Sequence, residues 1–214
     1  DVCSSDLDRL ARLQSTGACQ FCDLTEANLS NMSLSGVDLR NANLRGANLS
    51  RTNLSGANLR NANLTGVDLS HANLSKADFR EWARLDGANL SNVNLTNSEL
   101  RGVTLKNANL AGAILTGANL SLTNLAGRNF SGYNLVGVDL SRANLLNVDL
   151  GNTDLTGANL FGASQIGANL AGALLNDANL RSAHLASANL SAADLRGANL
   201  TKANLINANL NAAI

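Results

Sequence analysis

From Leu24 to Leu210 a leucine, or a phenylalanine in its place, returns every fifth residue, with a single polar exception at Gln165. One step is six residues long, between Phe79 and Leu85, inside the stretch ADFREWARLDGANL (77–90). Two positions before each such centre stands Ala, Val, Thr or Ser almost throughout. Asn or Asp mostly precedes it, and Ser, Thr or Arg often follows it, then often Gly or Asn. A period of five matches neither a helix at 3.6 nor a flat strand at 2. A chain that turns a right angle once per five residues satisfies it. The centre and the small residue two before it then point inward, and the other three positions face water. This predicts a square solenoid whose coils bury their leucines only by stacking on neighbours. The composition agrees, because 45% hydrophobic content with 3% aromatics and no proline describes an interior filled by repeated small and medium side chains rather than by rings.

The motif A(N/D)LXX, written out in GANLSRTNLSGANL (46–59), resembles the signature of the pentapeptide-repeat family, over roughly residues 20 to 212, and the chain looks most like its cyanobacterial members. The resemblance implies an all-β fold, a right-handed quadrilateral β-helix with four pentapeptides to a coil and about 4.8 Å between coils. Four per coil means a second period of 20, which the sequence tests by itself. Arg40, Arg60, Arg80 and Arg101 each follow a centre, at steps of twenty, twenty and twenty-one. The long step contains the slip. If one residue near Trp82 bulges out (80–83), the four arginines form one column. Such a bulge either re-aims a contact residue or is simply tolerated.

Residues 1–18 read as a short capping α-helix and lead-in, and 19–214 as the repeat β-helix. In SSDLDRLARLQSTG, Ser4 or Ser5 can cap a helix, Asp8 completes a capping box with Ser5, Leu7, Leu10 and Leu13 or Ala11 share a face, and Gly17 stops it. The helix is expected to cover the open first coil, an edge otherwise prone to pairing. The far end, NLINANLNAAI, reads as a bare coil, and family resemblance makes a tail-to-tail homodimer one expectation beside a monomer. Cys19 falls at a centre position and Cys22 at the next small inward position. Residues three apart across a turn lie within about 7 Å, in reach of a disulfide, so Cys19–Cys22 is the expected bond, with Cys3 left over or stapling the helix to either partner. A disulfide implies an oxidising compartment, the periplasm or thylakoid lumen, and its absence the cytoplasm.

Nothing in the register assembles an enzyme. There is no phosphate loop and no nucleophile–base arrangement, and the CxxC of Cys19 and Cys22 has neither a second CxxC nor a nearby histidine to complete a zinc site, so neither catalysis nor a cofactor is expected. Sixteen Lys plus Arg balance sixteen Asp plus Glu, which offers no global field for nucleic acid or an anionic membrane, and no run of about 18 apolar residues suggests a span. Three features could carry recognition. The arginine column, with Asp38, Asp78, Glu81 and Glu99 beside it, reads as a surface ion-pair lattice or, less simply, as an anion groove. Ala126, Leu146, Ile166, Ala186 and Ile206 follow their centres twenty apart and form an apolar ladder, a surface for a partner or a homodimer. Arg128, Tyr133 and Gln165 breach the interior rule, and each is expected to reach a backbone group or widen its coil. The favoured function is a non-catalytic structural scaffold that binds an unidentified protein through a solenoid face. The alternative implied by the resemblance is a DNA mimic that inhibits or protects type II topoisomerases, to which zero net charge is poorly suited.

Overall fold

The computed structural model describes residues 11–13 and 15–214. The readings on Cys3, Ser4, Ser5, Leu7, Asp8 and Leu10 lie outside the described residues. Residues 11–13 and 15–16 are helical, and Leu13 is buried. Gly17 ends the helix, with φ +63° and its N–H bonded to the Leu13 carbonyl at 3.1 Å, a left-handed cap that glycine adopts without a Cβ penalty. Ala18 then pairs in parallel with Asp38, which joins the lead-in to the first coil.

The chain forms two compact units, Asp1–Leu115 and Thr116–Ile214, inside the stretch that its periodicity treats as one run. Both are built by the same rule. In the first unit Asp23 pairs in parallel with Asn43 and Asn43 with Asn63; in the second Asn119 pairs with Asp139 and Asp139 with Asn159. The coil is therefore twenty residues. Each pairing involves one residue per side, so a coil has four sheet contacts and no continuous strand.

The hydrogen bonds of one pentapeptide explain its composition. Leu44 donates to the Asn63 carbonyl, Gly46 to Thr65, Ala47 back to Leu44, and Asn48 to Ala27 in the preceding coil. The remaining N–H, that of Arg45, goes to the side-chain oxygen of Asn43. All five donors are engaged, so proline has nowhere to stand. The Ala47-to-Leu44 bond closes a turn whose third residue has positive φ, as in a type II turn. That third position is the one the sequence fills with Gly or Asn, such as Asn61 at +54° and Gly66 at +67°, and no β-branched residue occupies it among the described coils. Asn before the centre also serves twice: in Asn63 the amide oxygen accepts from the Thr65 N–H, while the amide nitrogen donates to Asn43 one coil away at 3.1 Å.

From Leu24 to Leu190 the centres are buried, and so are nearly all the small residues two before them, as in Leu44 with Ala42 and Leu150 with Val148, whereas Leu195, Leu200 and Leu205 are half-buried and Leu210 is exposed. The six-residue step is absorbed locally. Asn63 pairs with Arg84 and Asp68 with Asn89, twenty-one apart, and the step of twenty resumes with Arg84 and Thr104. Glu81 and Trp82 both take positive φ, at 61° and 75°, while Phe79 and Ala83 on either side stay buried. Trp82 is extruded and 82% exposed.

Candidate functional site

The pairings Asp38–Asn58, Asn58–Asp78 and Asp78–Glu99 bring Arg40, Arg60, Arg80 and Arg101 into one column of the first unit. Arg40 pairs with Asp38 at 2.8 Å. Asp78 takes both Arg60 and Arg80 at 2.7 Å, and Arg60 reaches Glu81 at 3.4 Å. The Arg40 guanidinium holds the Asp38 carboxyl down at about 2. At Asp78 burial pushes the carboxyl up, but hydrogen bonds from Arg80 and Arg60 outweigh it and bring it to about 2. Three of the four arginines are thus already neutralised by carboxylates, and the column does not offer a free anion groove.

In the second unit the pairings Asn124–Asn144, Asn144–Ser164, Ser164–His184 and His184–Asn204 align Ala126, Leu146, Ile166, Ala186 and Ile206. Leu146 and Ile166 are each 40% exposed and Ile206 64%. These are the largest side chains of the column; Leu146 and Ile166 stand on adjacent coils, and Ala186 separates Ile166 from Ile206. One corner earlier in the coil, a feature missed by the column-by-column sequence reading appears. The ring of Phe161 lies between two guanidiniums, with Arg142 Cζ 5.7 Å and Arg181 Cζ 5.8 Å from its centroid. Contacts of this length are favourable for arginine on an aromatic face.

The interior breaches resolve differently from one another. Tyr133 and Arg128 are half-buried, and Tyr133 meets Phe130 edge-on with ring centroids 5.3 Å apart. Burial lowers the Arg128 pKa below its ordinary value. Gln165 is fully buried, and neither amide atom has a hydrogen-bond partner, which corrects the expectation that it reaches a backbone group. A disulfide joins Cys19 and Cys22, both buried, with Cα atoms 5.3 Å apart. His71 and His184 are exposed. Among the described residues no cluster of His, Cys, Asp and Glu could hold a metal ion, and no helix is long and apolar enough to cross a membrane.

The sequence profile described as "Pentapeptide repeats" matches in eight copies, over residues 22–61, 42–81, 83–121, 123–162, 158–201 and 178–214. Among solved structures the chain is similar to HetL, a pentapeptide repeat protein involved in heterocyst differentiation regulation from the cyanobacterium Nostoc. The two share 37% identity over 96% of this chain and 94% of that one, with a TM-score of 0.51. A pentapeptide repeat protein from the Arabidopsis thaliana thylakoid lumen is 37% identical over 49% of this chain and 66% of that one, with a TM-score of 0.28. QnrB1, a plasmid-mediated fluoroquinolone resistance protein, is 17% identical over 92% of each chain, with a TM-score of 0.37. No curated protein matches.

Proposed function

The chain belongs to the pentapeptide repeat family, whose fold is the right-handed quadrilateral β-helix, and from that membership we propose that it is a non-catalytic scaffold that binds another protein through one solenoid face. The observation that carries this reading is the apolar ladder of the second unit, in which Leu146 and Ile166 on adjacent coils and Ile206 two coils further, with Ala186 between them, expose aliphatic side chains in one column. Isolated apolar residues on a surface are ordinary, whereas a contiguous strip of them marks an interaction surface. In this reading the helical residues 11–13 and 15–16 cap the first coil, and the Cys19–Cys22 bond fits an oxidising compartment such as the periplasm or thylakoid lumen.

The topoisomerase alternative has less support. Within the second unit Arg128, Arg142, Arg181, Arg196 and Lys202 balance Asp139, Asp149, Asp154, Asp177 and Asp194, so that unit is neutral by itself. A polyanion mimic needs a large negative excess.

Affinity capture on immobilised wild type and on Ile166→Lys/Ile206→Lys, with light scattering of both in solution, tests the scaffold reading. Proteins retained by the wild type and lost from the variant are the expected result. A wild-type dimer that the lysines convert to monomer would reassign the ladder to self-association. Equal retention by the two, at equal molar mass, would overturn the reading.

A further inference from the structure

The apolar ladder is one of two rails on the same face of the second unit. The other rail runs along the preceding corner, where the register aligns Ser141, Phe161 and Arg181 in one column and Arg142 and Lys202 in the next. Between the rails the outward residues are Asn144, Ser164, His184 and Asn204, none of them a carboxylate. The strip therefore holds three cations, Arg142, Arg181 and Lys202. Every aspartate of the unit falls in another column: Asp139 precedes this corner, Asp149 follows the apolar rail, Asp154 and Asp194 share a further face, and Asp177 stands at the corner after it. Asp194 is in addition engaged by Arg196. Among the described residues none of the three cations has a carboxylate within ion-pair distance, in contrast to the arginine column of the first unit.

We propose that this face binds an acidic amphipathic α-helix of a partner protein, its carboxylates on Arg142, Arg181 and Lys202 and its apolar side chains on Leu146, Ile166 and Ile206. The inference rests on the scaffold reading and adds the chemistry of the partner. Charge complementarity selects acid on one flank of the ligand, and the aliphatic rail demands an apolar strip on the other. The Phe161 ring gathers the two guanidiniums, their Cζ atoms 5.7 and 5.8 Å from its centroid, and a guanidinium is suited to bidentate carboxylate recognition. Spacing selects the helix. Coils recur at about 4.8 Å and helical turns at about 5.4 Å, so over three coils the mismatch is about 2 Å, within the reach of flexible side chains. Same-face residues of an extended strand recur at about 6.6 Å and are out of step by about 5 Å over the same three coils. Single-stranded nucleic acid could stack on Phe161 and use the cations, but it leaves three exposed aliphatic side chains without a counterpart.

The test uses two synthetic, fluorescently labelled peptides of about five helical turns, each with leucine along one stripe and either glutamate or lysine along the flank. They are titrated by anisotropy against the full chain, against Arg142→Glu/Arg181→Glu and its milder form Arg142→Gln/Arg181→Gln, against Ile166→Lys/Ile206→Lys, and against Lys106→Glu in the first unit. Circular dichroism checks that each variant is folded. The glutamate peptide is expected to bind wild type and Lys106→Glu at least tenfold more tightly than the lysine peptide, with that preference lost in both arginine variants and binding weakened by the isoleucine changes. No binding of the glutamate peptide, or a preference indifferent to Arg142 and Arg181, overturns the proposal. A labelled oligothymidylate that binds with the same residue dependence assigns the face to nucleic acid, and self-association lost in the same variants assigns it to a second copy; either result also overturns it. If the peptides show no charge preference while Ile166→Lys/Ile206→Lys still abolishes affinity capture, the acidic helix alone falls and the scaffold stands.

Discussion

Gln165 occupies a centre in the column of Leu145 and Leu185, with its two amide atoms unpaired in a fully buried site. Its backbone is not at fault: its N–H reaches the His184 carbonyl at 2.8 Å, and its own carbonyl accepts from Ala168 at 3.0 Å. What is left over is the side chain, and leaving a buried amide without partners costs about 1–3 kcal/mol. Leucine has nearly the same volume and is what the rest of the column uses. Gln165→Leu is therefore expected to raise the unfolding free energy by about 1–3 kcal/mol, seen as a higher denaturant midpoint with an unchanged slope. A lower midpoint would mean that the amide is satisfied in solution by a group such as a buried water, and the deficit assigned here would be wrong. The same scale explains the absence of proline: with every N–H of a repeat committed, each possible site would forfeit a hydrogen bond.

At the level of the element, the arginine column behaves as a lattice centred on Asp78, which holds Arg60 and Arg80 at once. Its folded carboxyl sits near 2, below its ordinary 3.8, so it stabilises the fold above about pH 4, and that contribution disappears as pH falls to about 2. Partial exposure of both arginines limits the effect to about 1 kcal/mol. Asp78→Asn is expected to lower the unfolding free energy at neutral pH by about that amount and to flatten the loss of stability between pH 4 and 2. An acid limb identical to wild type would remove Asp78 from the lattice. The column could be read from the sequence because all four arginines take the same position in their repeats and only the bulge at Trp82 had to be discounted. The Arg142–Phe161–Arg181 stack could not. Its members occupy different positions, Arg142 two after a centre and the others one after, and they meet because the Arg142 side chain runs along the solenoid to the next coil, where its Cγ would lie 3.6 Å from a Cβ placed on Gly162. Stepping by twenty follows the backbone and does not follow a long side chain that leaves its own column. The left-handed turn residues were half legible: the Gly and Asn preference was visible, but its cause lies in a φ that no residue count reveals.

The molecule as a whole is two units, and within each a coil bonds only to the coil before and the coil after it: Asn43 donates to Cys22 and accepts from Leu24 in the coil before, while Ala42 accepts from Asn63 and Leu44 donates to Asn63 in the coil after. Such a structure has stability distributed along its length rather than concentrated in one core. Leu54 is fully buried in the column of Leu34 and Leu74 in the first unit, and Leu170 in the column of Leu150 and Leu190 in the second. Replacing either by alanine removes buried methyl groups and leaves a cavity, a cost of about 2–5 kcal/mol. In a globular core that loss would be shared by every protected amide in the unit. Here Leu54→Ala is expected to accelerate hydrogen exchange most at the amides of its own coil and of the coils through Leu34 and Leu74, with the effect fading toward Leu95, and Leu170→Ala to do the same around Leu150 and Leu190. Exchange followed by mass spectrometry on overlapping peptides measures this profile directly. A uniform acceleration across the unit would show that its coils open together, and the description of stability as a chain of nearest-neighbour contacts would have to be replaced by a single cooperative core.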